Sequence, residues 1–407
     1  KDTRLSGYML ETAMASGICA MGGRVMLSGP IPTPAVAHLT VSMRADAGVV
    51  ISASHNPYSD NGIKVFGSDG FKLPDEQEAE IERLLRSSDI DASAPTGEGI
   101  GSAIRVDDAK GRYIVFAKQS IPKEYTLDGL RIVVDAAHGA AYSVAPSVFM
   151  ELGADVISLG CEPDGKNIND KVGALYPASV QQQVVNHRAH IGIALDGDAD
   201  RVIIVDDAGH IVDGDAIMAL YGIERLRAGT LPKATVVATV MSNLGLERAI
   251  ENAGGKLVRT AVGDRYVVEE MRKSGYMFGG EQSGHLIFLE HASTGDGIIA
   301  ALQVLLIMLR RGRALSELVP GCLQRVPQLL KNVSLSDRKP IQEMPLLMRA
   351  IQKVENELGR EGRVLVRWSG TEPKLRVMVE GPDEARIATY VNDMIEQASR
   401  DIPPSKN

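Results

Sequence analysis

The sequence predicts an α/β fold with mixed or mostly parallel sheets, and three observations predict it. The chain has 407 residues, which at roughly 150 residues per domain indicates two to four domains. Apolar residues make up 44% and charged residues 24%, which is typical of a globular protein with real cores. Short β-branched runs alternate with helical patterns along most of the length, as they do in α/β units.

The predicted strands are short, and helical patterns lie between them. The strands are residues 25–27, 48–52, 132–135, 191–195, 235–240 and 364–367. A helix is predicted over 8–20, where apolar or small residues recur at helical spacing at Leu10, Ala13, Met14, Gly17 and Ile18. A second helix, over 296–309, is apolar almost all round, so we expect it to be buried.

Three breaks divide the chain into four segments. Residues 91–102 are small, polar and bear Gly and Pro, residues 206–209 form a turn, and a new β-rich segment begins around 320–327. The repeated strand-then-helix layout suggests duplicated α/β domains, although no clean sequence repeat is visible. The predicted segments are 1–104, 105–208, 209–323 and 324–407.

Charge and composition exclude several classes of partner. The net charge of −8 argues against nucleic acid or an anionic membrane as the main partner. The longest apolar stretch, residues 298–309, is too short to span a bilayer. Three scattered cysteines favour a reduced, cytoplasmic setting over a disulfide framework. Residues 1–4 have neither a signal-peptide layout nor an initiator Met, so we expect the natural beginning to lie upstream.

The first loop that could carry chemistry is residues 52–57, directly after a predicted strand. Ligands gather at the C-terminal ends of strands in α/β sheets, so Ser54 is a candidate nucleophile or phosphate carrier. Ser, Asn and Pro are also ordinary turn formers, so a plain polar turn is the alternative. Lys64 could return to the same site, or it could be a solvated lysine.

The second loop, residues 196–201, follows the strand 191–195. Asp196, Asp198 and Asp200 stand at i, i+2 and i+4, so their carboxylates can converge on one cation. Oxygen ligands of this kind suit Mg²⁺ or Ca²⁺, and no Glu closes a twelve-residue EF-hand loop. Arg201 would add a positive charge beside a phosphate. The alternative is a solvated acidic turn.

The third loop, residues 279–285, is rich in glycine. Glu281 and Ser283 could bind vicinal hydroxyl groups, and His285 could act as an acid or a base. A Gly-rich turn with a surface glutamate is an equally weighted alternative.

The fourth loop, residues 367–373, lies between two predicted strands. Arg367, Ser369, Gly370 and Thr371 could form a phosphate cradle, because Arg can bind phosphate with two parallel hydrogen bonds and Gly exposes its backbone N–H. A plain hairpin turn is the competing interpretation.

The combination of the four loops is more informative than any single one. Each follows a strand, and together they describe a site that holds a phosphorylated polyol and moves its phosphoryl group.

On these residues the chain resembles the α-D-phosphohexomutases. ASHNP at 53–57, DGDAD at 196–200, GGEQSGH at 279–285 and SGTEP at 369–373 are similar to that family's phosphoserine, metal, sugar and phosphate loops, in the family's order. The connecting stretches resemble the bacterial phosphoglucosamine mutases within the family. These stretches are GPIPTPAVAHLT at 29–40, ADAGVVISASHNPYSDNGIKVF at 45–66, VGDRYV at 262–267 and STGDGIIA at 293–300.

The resemblance implies a fold and a reaction. The implied fold is the four-domain phosphohexomutase architecture, with three similar α/β domains with mixed sheets and a smaller C-terminal α+β domain around a central cleft. The four segments would be the phosphoserine, metal-binding, sugar-binding and phosphate-binding domains, the last of them mobile. The implied reaction interconverts glucosamine 6-phosphate and glucosamine 1-phosphate through a phosphoserine and a bisphosphorylated sugar, feeding UDP-N-acetylglucosamine and peptidoglycan synthesis.

The resemblance also implies roles for individual residues. Ser54 would carry the phosphoryl group, and one Mg²⁺ would be bound by Ser54, Asp196, Asp198 and Asp200. Catalytic groups would be Lys64, Arg201 and His285. The implied substrate-binding residues are Arg265, Glu281, Ser283, Arg367, Ser369, Gly370, Thr371 and Arg376.

The sequence departs from the family pattern in three places. The family's early arginine-bearing loop does not occur in it, so we expect one positive charge to be missing. Ala199 stands at a variable position of the metal loop and offers no ligand, and Trp368 replaces a more usual Lys or Pro.

Rival functions remain open at this point. The nearest is a phosphomannomutase/phosphoglucomutase of the same fold, since the loops alone do not separate a 2-amino from a 2-hydroxyl group. Others are a catalytically silent sugar-phosphate-binding protein and a metal-dependent serine phosphatase. The sequence does not decide the oligomeric state, and a homodimer is one expectation.

Overall fold

A computed structural model describes residues 1–87, 94–369 and 374–404. The predicted linker 91–102 therefore lies partly outside the described residues. Its remainder carries a short 3₁₀ turn, Gly97–Gly99, and leads into a strand.

The first region carries its strands in two separate pairs. Its elements are α1 (Leu5–Ala20), β1 (Val25–Leu27), α2 (Thr33–Ser42), β2 (Ala47–Ile51), β3 (Ile63–Gly67), α3 (Asp75–Leu85) and β4 (Ala103–Arg105). β1 pairs with β4 in parallel, and β2 pairs with β3 antiparallel. The loop that bears Ser54 is thus the connection of a β-hairpin, with Lys64 on its returning strand.

The second region is a five-stranded mixed sheet. Its elements are α4 (Ala109–Lys118), β5 (Arg131–Asp135), α5 (Val144–Glu151), β6 (Asp155–Leu159), α6 (Ala178–His187), β7 (Ile191–Leu195), β8 (Val202–Asp206) and β9 (Ile211–Val212). The strand order is β6-β5-β7-β8-β9, parallel up to β7 and antiparallel beyond it. Every residue of β7 is buried, which is why the strand reads as a continuous apolar run.

The third region is a four-stranded mixed sheet of order β11-β10-β12-β13. Its elements are α7 (Gly214–Arg227), β10 (Thr235–Thr239), α8 (Leu244–Asn252), β11 (Lys256–Thr260), α9 (Asp264–Ser274), β12 (Phe278–Gly280), β13 (Leu286–Phe288), α10 (Gly297–Arg311) and α11 (Leu315–Leu318). The side chain of Asp296 caps α10 by accepting hydrogen bonds from the N–H groups of Ile298 and Ile299.

The fourth region is an antiparallel three-stranded sheet of order β14-β16-β15. Its elements are β14 (Gln328–Ser334), α12 (Pro345–Leu358), β15 (Arg363–Trp368), β16 (Lys374–Glu380) and α13 (Glu384–Asp401). Both helices pack against this sheet.

The hydrophobic cores do not follow the four regions one by one. One hydrophobic cluster runs through the first three regions, with the buried helix α10 among its members. The fourth region has its own cluster, formed by residues between Leu335 and Ile402. Burial of each large apolar side chain stabilises a core by about 1.5–3 kcal/mol, so each cluster is a substantial source of stability.

The predicted strands and helices are confirmed, with small shifts at their ends. Within the first helix, Leu10 and Met14 are half-buried, whereas Ala13, Gly17 and Ile18 are exposed. None of the described helices combines the length and the apolar composition that crossing a bilayer demands.

Candidate active site

Three buried carboxylates meet in the tight turn between β7 and β8. Asp196, Asp198 and Asp200 are at most 3% exposed, and one oxygen from each lies within 4.8 Å of the other two. Ala199 adopts a left-handed conformation with φ +58° inside the turn, which helps to bring the alternating side chains together. The predicted convergence of the three side chains is therefore present in the structure.

These carboxylates fit a divalent cation. Oδ1 of Asp198 and Oδ1 of Asp200 are buried yet accept no hydrogen bond from the described residues. A buried acceptor without a partner is costly, and oxygen atoms of this kind are the ligands that Mg²⁺ and Ca²⁺ prefer. The three acids form a metal-binding site.

Lys64 reaches this turn from β3. Its Nζ lies 2.7 Å from Asp198 Oδ2 and 3.1 Å from Asp200 Oδ2. Burial alone would lower the pKa of Lys64, but the two carboxylates outweigh it and hold the pKa well above the ordinary lysine value. Thr33, at the start of α2, donates a hydrogen bond of 2.6 Å to the same Asp198 oxygen. Lys64 is thus a charged partner of the acids rather than a solvated lysine.

Ser54 stands beside the acids. Its Oγ donates a 2.6 Å hydrogen bond to Asp196 Oδ2, although 142 residues separate the two in the sequence. Burial, followed by the charges of Asp200 and Asp198, raises the pKa of Asp196. Ser54 has φ +51°, a left-handed conformation that is unusual for a residue with a side chain. The serine loop and the acid loop therefore form one site.

Arg201 and His285 complete the surroundings of the acid loop. Arg201 Nε lies 3.9 Å from Asp200 Oδ1, and the Arg201 backbone N–H donates to Asp196 Oδ1 at 3.2 Å. His285 is 1% exposed, with Nδ1 3.7 Å from Asp200 Oδ1. Its Nε2 accepts a hydrogen bond from the Gly295 N–H at 3.2 Å, which fixes the orientation of the ring.

Asp264, which sequence analysis missed, lies on the other side of His285. Its Oδ2 is 3.7 Å from His285 Nε2 and also pairs with Lys72. Burial would raise the pKa of Asp264, but His285 and Lys72 lower it to about 2. Asp264 lies in the Val-Gly-Asp stretch at 262–264, and the spacing of this stretch carries no signal for a contact with His285.

The two predicted sugar-binding residues of the Gly-rich loop differ in their exposure to solvent. Glu281 is buried and its Oε1 accepts a hydrogen bond from the Gly263 N–H at 3.1 Å, whereas Ser283 is exposed. Arg265, at the start of α9, pairs with Asp75 of α3 and with Glu269, the latter at 3.1 Å. The structure therefore ties Arg265 to carboxylates of the protein, and a role of Arg265 in substrate binding stays a prediction.

The β15–β16 hairpin carries two opposed cations. Arg367 and Arg376 are directly opposite each other across the strands, an arrangement that is unfavourable for like charges unless an anion relieves it. Arg367 Nε is buried without a hydrogen-bond partner among the described residues. Burial, and then the charge of Arg376, lowers the pKa of Arg367. Ser369 is buried and its N–H donates to the carbonyl of Lys374 at 2.8 Å, while Gly370 and Thr371 lie outside the described residues.

Comparison with known families gives four matches along the chain, to models of the phosphoglucomutase/phosphomannomutase family. Alpha/beta/alpha domain I matches residues 1–91, domain II 112–209, domain III 213–326 and the C-terminal domain 330–397.

Curated relatives are similar over nearly the whole chain. Phosphoglucosamine mutase of Sorangium cellulosum is 64% identical over 402 residues, which are 99% of this chain and 84% of the relative. Phosphoglucosamine mutase of Myxococcus xanthus is 59% identical over 400 residues, which are 98% of this chain and 87% of the relative.

Solved structures share the fold. A phosphoglucomutase/phosphomannomutase family protein from Burkholderia thailandensis has a TM-score of 0.81 at 26% identity, covering 100% of this chain and 89% of the other. Aspergillus fumigatus N-acetylphosphoglucosamine mutase, solved in complex with GlcNAc-6P and magnesium, has a TM-score of 0.64 at 17% identity, covering 96% of this chain and 93% of the other.

Proposed function

The chain belongs to the phosphoglucomutase/phosphomannomutase family, among the bacterial phosphoglucosamine mutases, and we propose that it moves a phosphoryl group through Ser54. The reaction interconverts glucosamine 6-phosphate and glucosamine 1-phosphate, which supplies precursors for UDP-N-acetylglucosamine and peptidoglycan. The single observation that carries the role of Ser54 is its 2.6 Å hydrogen bond to Asp196 inside the acid loop.

The acid loop supplies the setting for transfer. Asp196, Asp198 and Asp200, together with a phosphate oxygen on Ser54, would hold one Mg²⁺. A bound Mg²⁺ neutralises charge on the transferring phosphoryl group. The chain's own cations, Lys64 and Arg201, contribute positive charge at the same place, because both lie against the acids.

The transfer proceeds between the sugar hydroxyl and phosphorylated Ser54. The hydroxyl oxygen attacks phosphorus, the bond from phosphorus to Ser54 Oγ breaks, and the product is a bisphosphorylated sugar. The hydroxyl proton must go to a nearby base, and His285 is the proposed one because its ring is held against the acid loop. Transfer of the other phosphate back to Ser54 then completes the isomerisation.

Two further groups hold the sugar while its ends exchange. Glu281 and Ser283 are proposed to bind hydroxyl groups that are present in both orientations of the sugar. Arg367, Ser369, Gly370, Thr371 and Arg376 are proposed to bind the phosphate that is not being transferred. The opposed positions of Arg367 and Arg376 across the strands support this assignment, because a phosphate bound by both would offset their repulsion.

Two measurements test the proposal together. Intact-mass analysis should find one phosphate on Ser54 after incubation with glucosamine 1,6-bisphosphate. Turnover should be fastest with glucosamine phosphates and slower with glucose and mannose phosphates. Preference for mannose phosphate would favour a phosphomannomutase, stoichiometric release of free phosphate would favour a phosphatase, and binding without transfer would contradict catalysis.

The cellular location and the oligomeric state of the protein also stay proposals. A cytoplasmic location and a homodimer are expected, and light scattering of the purified protein checks the second.

A further inference from the structure

Two backbone carbonyls of the serine loop are each held by the same two side chains. Arg4 Nη2 donates to the carbonyl of Ser54 at 3.1 Å and to that of Asn56 at 2.5 Å. Asn169 Nδ2 donates to the same carbonyls at 2.9 Å and 3.1 Å. Arg4 is fully buried and Asn169 is 7% exposed, so these hydrogen bonds form away from water. We call Arg4 and Asn169 the carbonyl clamp.

The conformation of Ser54 needs such support. A residue with a side chain in a left-handed conformation costs on the order of 1–3 kcal/mol and persists only where its surroundings determine it. Ser54 has φ +51°, and its N–H is also bound, by Ser52 Oγ at 2.9 Å. Both the N–H and the carbonyl of the serine are therefore fixed, which leaves Oγ directed at Asp196.

Each half of the clamp is itself anchored. Arg4 Nη1 pairs with buried Asp2, whose backbone N–H donates to the carbonyl of Ile51 at the end of β2. Asn169 has its N–H bound to the carbonyl of Ala137 at 3.0 Å. The two donors come from different parts of the chain and converge on one loop.

The clamp also touches the acid loop. A Cβ built on Gly197, between Asp196 and Asp198, would lie 2.6 Å from the carbonyl oxygen of Ser54 and 2.8 Å from Asn169 Nδ2. Only a glycine allows this approach. The distance between the serine and the acids is therefore set at the point where the clamp, the serine carbonyl and the acid loop are in contact.

We propose that Arg4 and Asn169 are positioning residues for phosphoryl transfer: they hold Ser54 in its left-handed conformation, so that Oγ stays in place against the acid loop. Neither residue needs to touch the substrate. The inference rests on the proposed role of Ser54. Its consequence is a defect in the transfer step with little change in substrate binding.

The test compares Asn169→Ala with Asn167→Ala in the full-length protein. Asn167 lies in the same loop, but its amide binds the carbonyl of Glu162 and does not reach Ser54. Asn169→Ala should lower kcat about 10- to 100-fold, the scale expected for a misplacement of about 1 Å, with KM unchanged. Phosphorylation of Ser54 by glucosamine 1,6-bisphosphate, followed by intact mass in a single turnover, should slow by the same factor. Asn167→Ala should match wild type in both.

Asn169→Asp separates hydrogen bonding from shape. An aspartate has the same size, but it cannot donate to the two carbonyls, so it should be at least as impaired as Asn169→Ala. Wild-type kcat in Asn169→Asp would overturn the proposal.

The remaining outcomes are also decisive. A kcat for Asn169→Ala equal to that of Asn167→Ala, or a loss confined to KM, would overturn the clamp. If Asn169→Ala does not give a cooperative melt, Arg4→Lys is judged by the same criteria, because it keeps the charge but loses the geometry of the planar fork. If wild-type Ser54 gains no phosphate, the proposed function itself fails; a phosphorylated wild type with unimpaired variants refutes only the clamp.

Discussion

The acid loop at 196–201 and the β15–β16 hairpin handle charge in opposite ways. In the acid loop, negative groups from one turn meet Lys64 and Ser54 from another region at 2.6–3.1 Å, within the shared core of the first three regions. In the hairpin, Arg367 and Arg376 face each other, and Arg367 Nε has no partner among the described residues. The hairpin also belongs to a separate core.

The difference matches two tasks. The proposed transfer at Ser54 needs fixed geometry, which fits the hydrogen bond and the ion pairs that hold Ser54, Lys64 and the acids together. Under the proposed function the hairpin would accept the phosphate at either end of a sugar that turns around, which fits an Arg367 Nε that has no partner among the described residues. Variants at the first site should therefore change kcat, and variants at the second should change KM.

Removing the hydroxyl group of Ser54 should have the largest effect and should abolish turnover. We expect Ser54→Ala to fold normally and to lose about 10⁴-fold or more in turnover, because no other described hydroxyl donates to Asp196. Circular dichroism and a phosphohexomutase assay check this. Ser399→Ala is the control and should keep full activity, because the Ser399 hydroxyl donates only to the carbonyl of Ile395 within α13. Wild-type turnover in a contamination-free preparation of Ser54→Ala would refute the assignment.

Removing one acid should be the next largest effect. Asp198→Asn takes away the charge that faces Lys64 and Thr33, and we expect a loss of about 10²- to 10³-fold in kcat. The Mg²⁺ concentration for half-maximal activity should rise as well. Titration of activity with Mg²⁺ measures both, with Asp207→Asn as the control outside the triad. Activity that is indifferent to a chelator would remove the metal from the mechanism.

Removing one arginine of the hairpin should have a smaller effect, on binding. A hydrogen bond to a charged group contributes about 1.5–3 kcal/mol, so Arg367→Ala should raise KM about 10- to 150-fold and leave kcat nearly unchanged. Arg360→Ala, in the exposed turn before β15, is the control. If Arg367→Ala lowered kcat as strongly as Asp198→Asn does, the contrast between the two sites would be wrong.

The smallest expected effect concerns Asp215 in the third region, whose partner Asn243 also donates a side-chain hydrogen bond to Glu380 of the fourth region. Burial, as the largest cause, raises the pKa of Asp215 from 3.8 to about 6, and its Oδ2 accepts the Asn243 N–H at 2.8 Å. Because the folded protein binds this proton more tightly, the stability that Asp215 contributes is complete below pH 3.8 and is lost as pH rises through about 6.

The substitution that tests this is Asp215→Asn. A shift of this size is worth about 3 kcal/mol at most, so Asp215→Asn should gain stability relative to wild type between pH 4 and 7 and then level off. Denaturant titrations at a series of pH values measure the difference. Exposed Asp107→Asn should show no such trend. A difference independent of pH would mean that Asp215 is already ionised at pH 4.

Sequence reasoning found the acid loop because its signal is local. Three carboxylates at alternate positions after a buried strand predict convergence, and Asp196, Asp198 and Asp200 do converge. The carbonyl clamp was out of reach, because Arg4 precedes Ser54 by 50 residues and Asn169 follows it by 115. Neither residue type is unusual in its own segment, so only the folded chain reveals what it contacts.

The same limit applies to Lys64. Its segment shows an ordinary β-hairpin strand, and the choice between a solvated lysine and a site residue depends on a turn more than 130 residues away. The strands themselves were predictable, since buried parallel strands consist of continuous β-branched runs. Their pairing order was not, because it depends on contacts between distant segments.

The bridge from Lys64 to two of the three acids has a consequence for handling the protein. An ammonium group already spans Asp198 and Asp200, so chelation leaves a salt bridge in the turn instead of three repelling anions. The protein should therefore survive purification in a chelator with its fold preserved. A metal ion that binds again would have to compete with the Lys64 ammonium group for the two carboxylates. Activity should return when Mg²⁺ is added, without refolding of the protein.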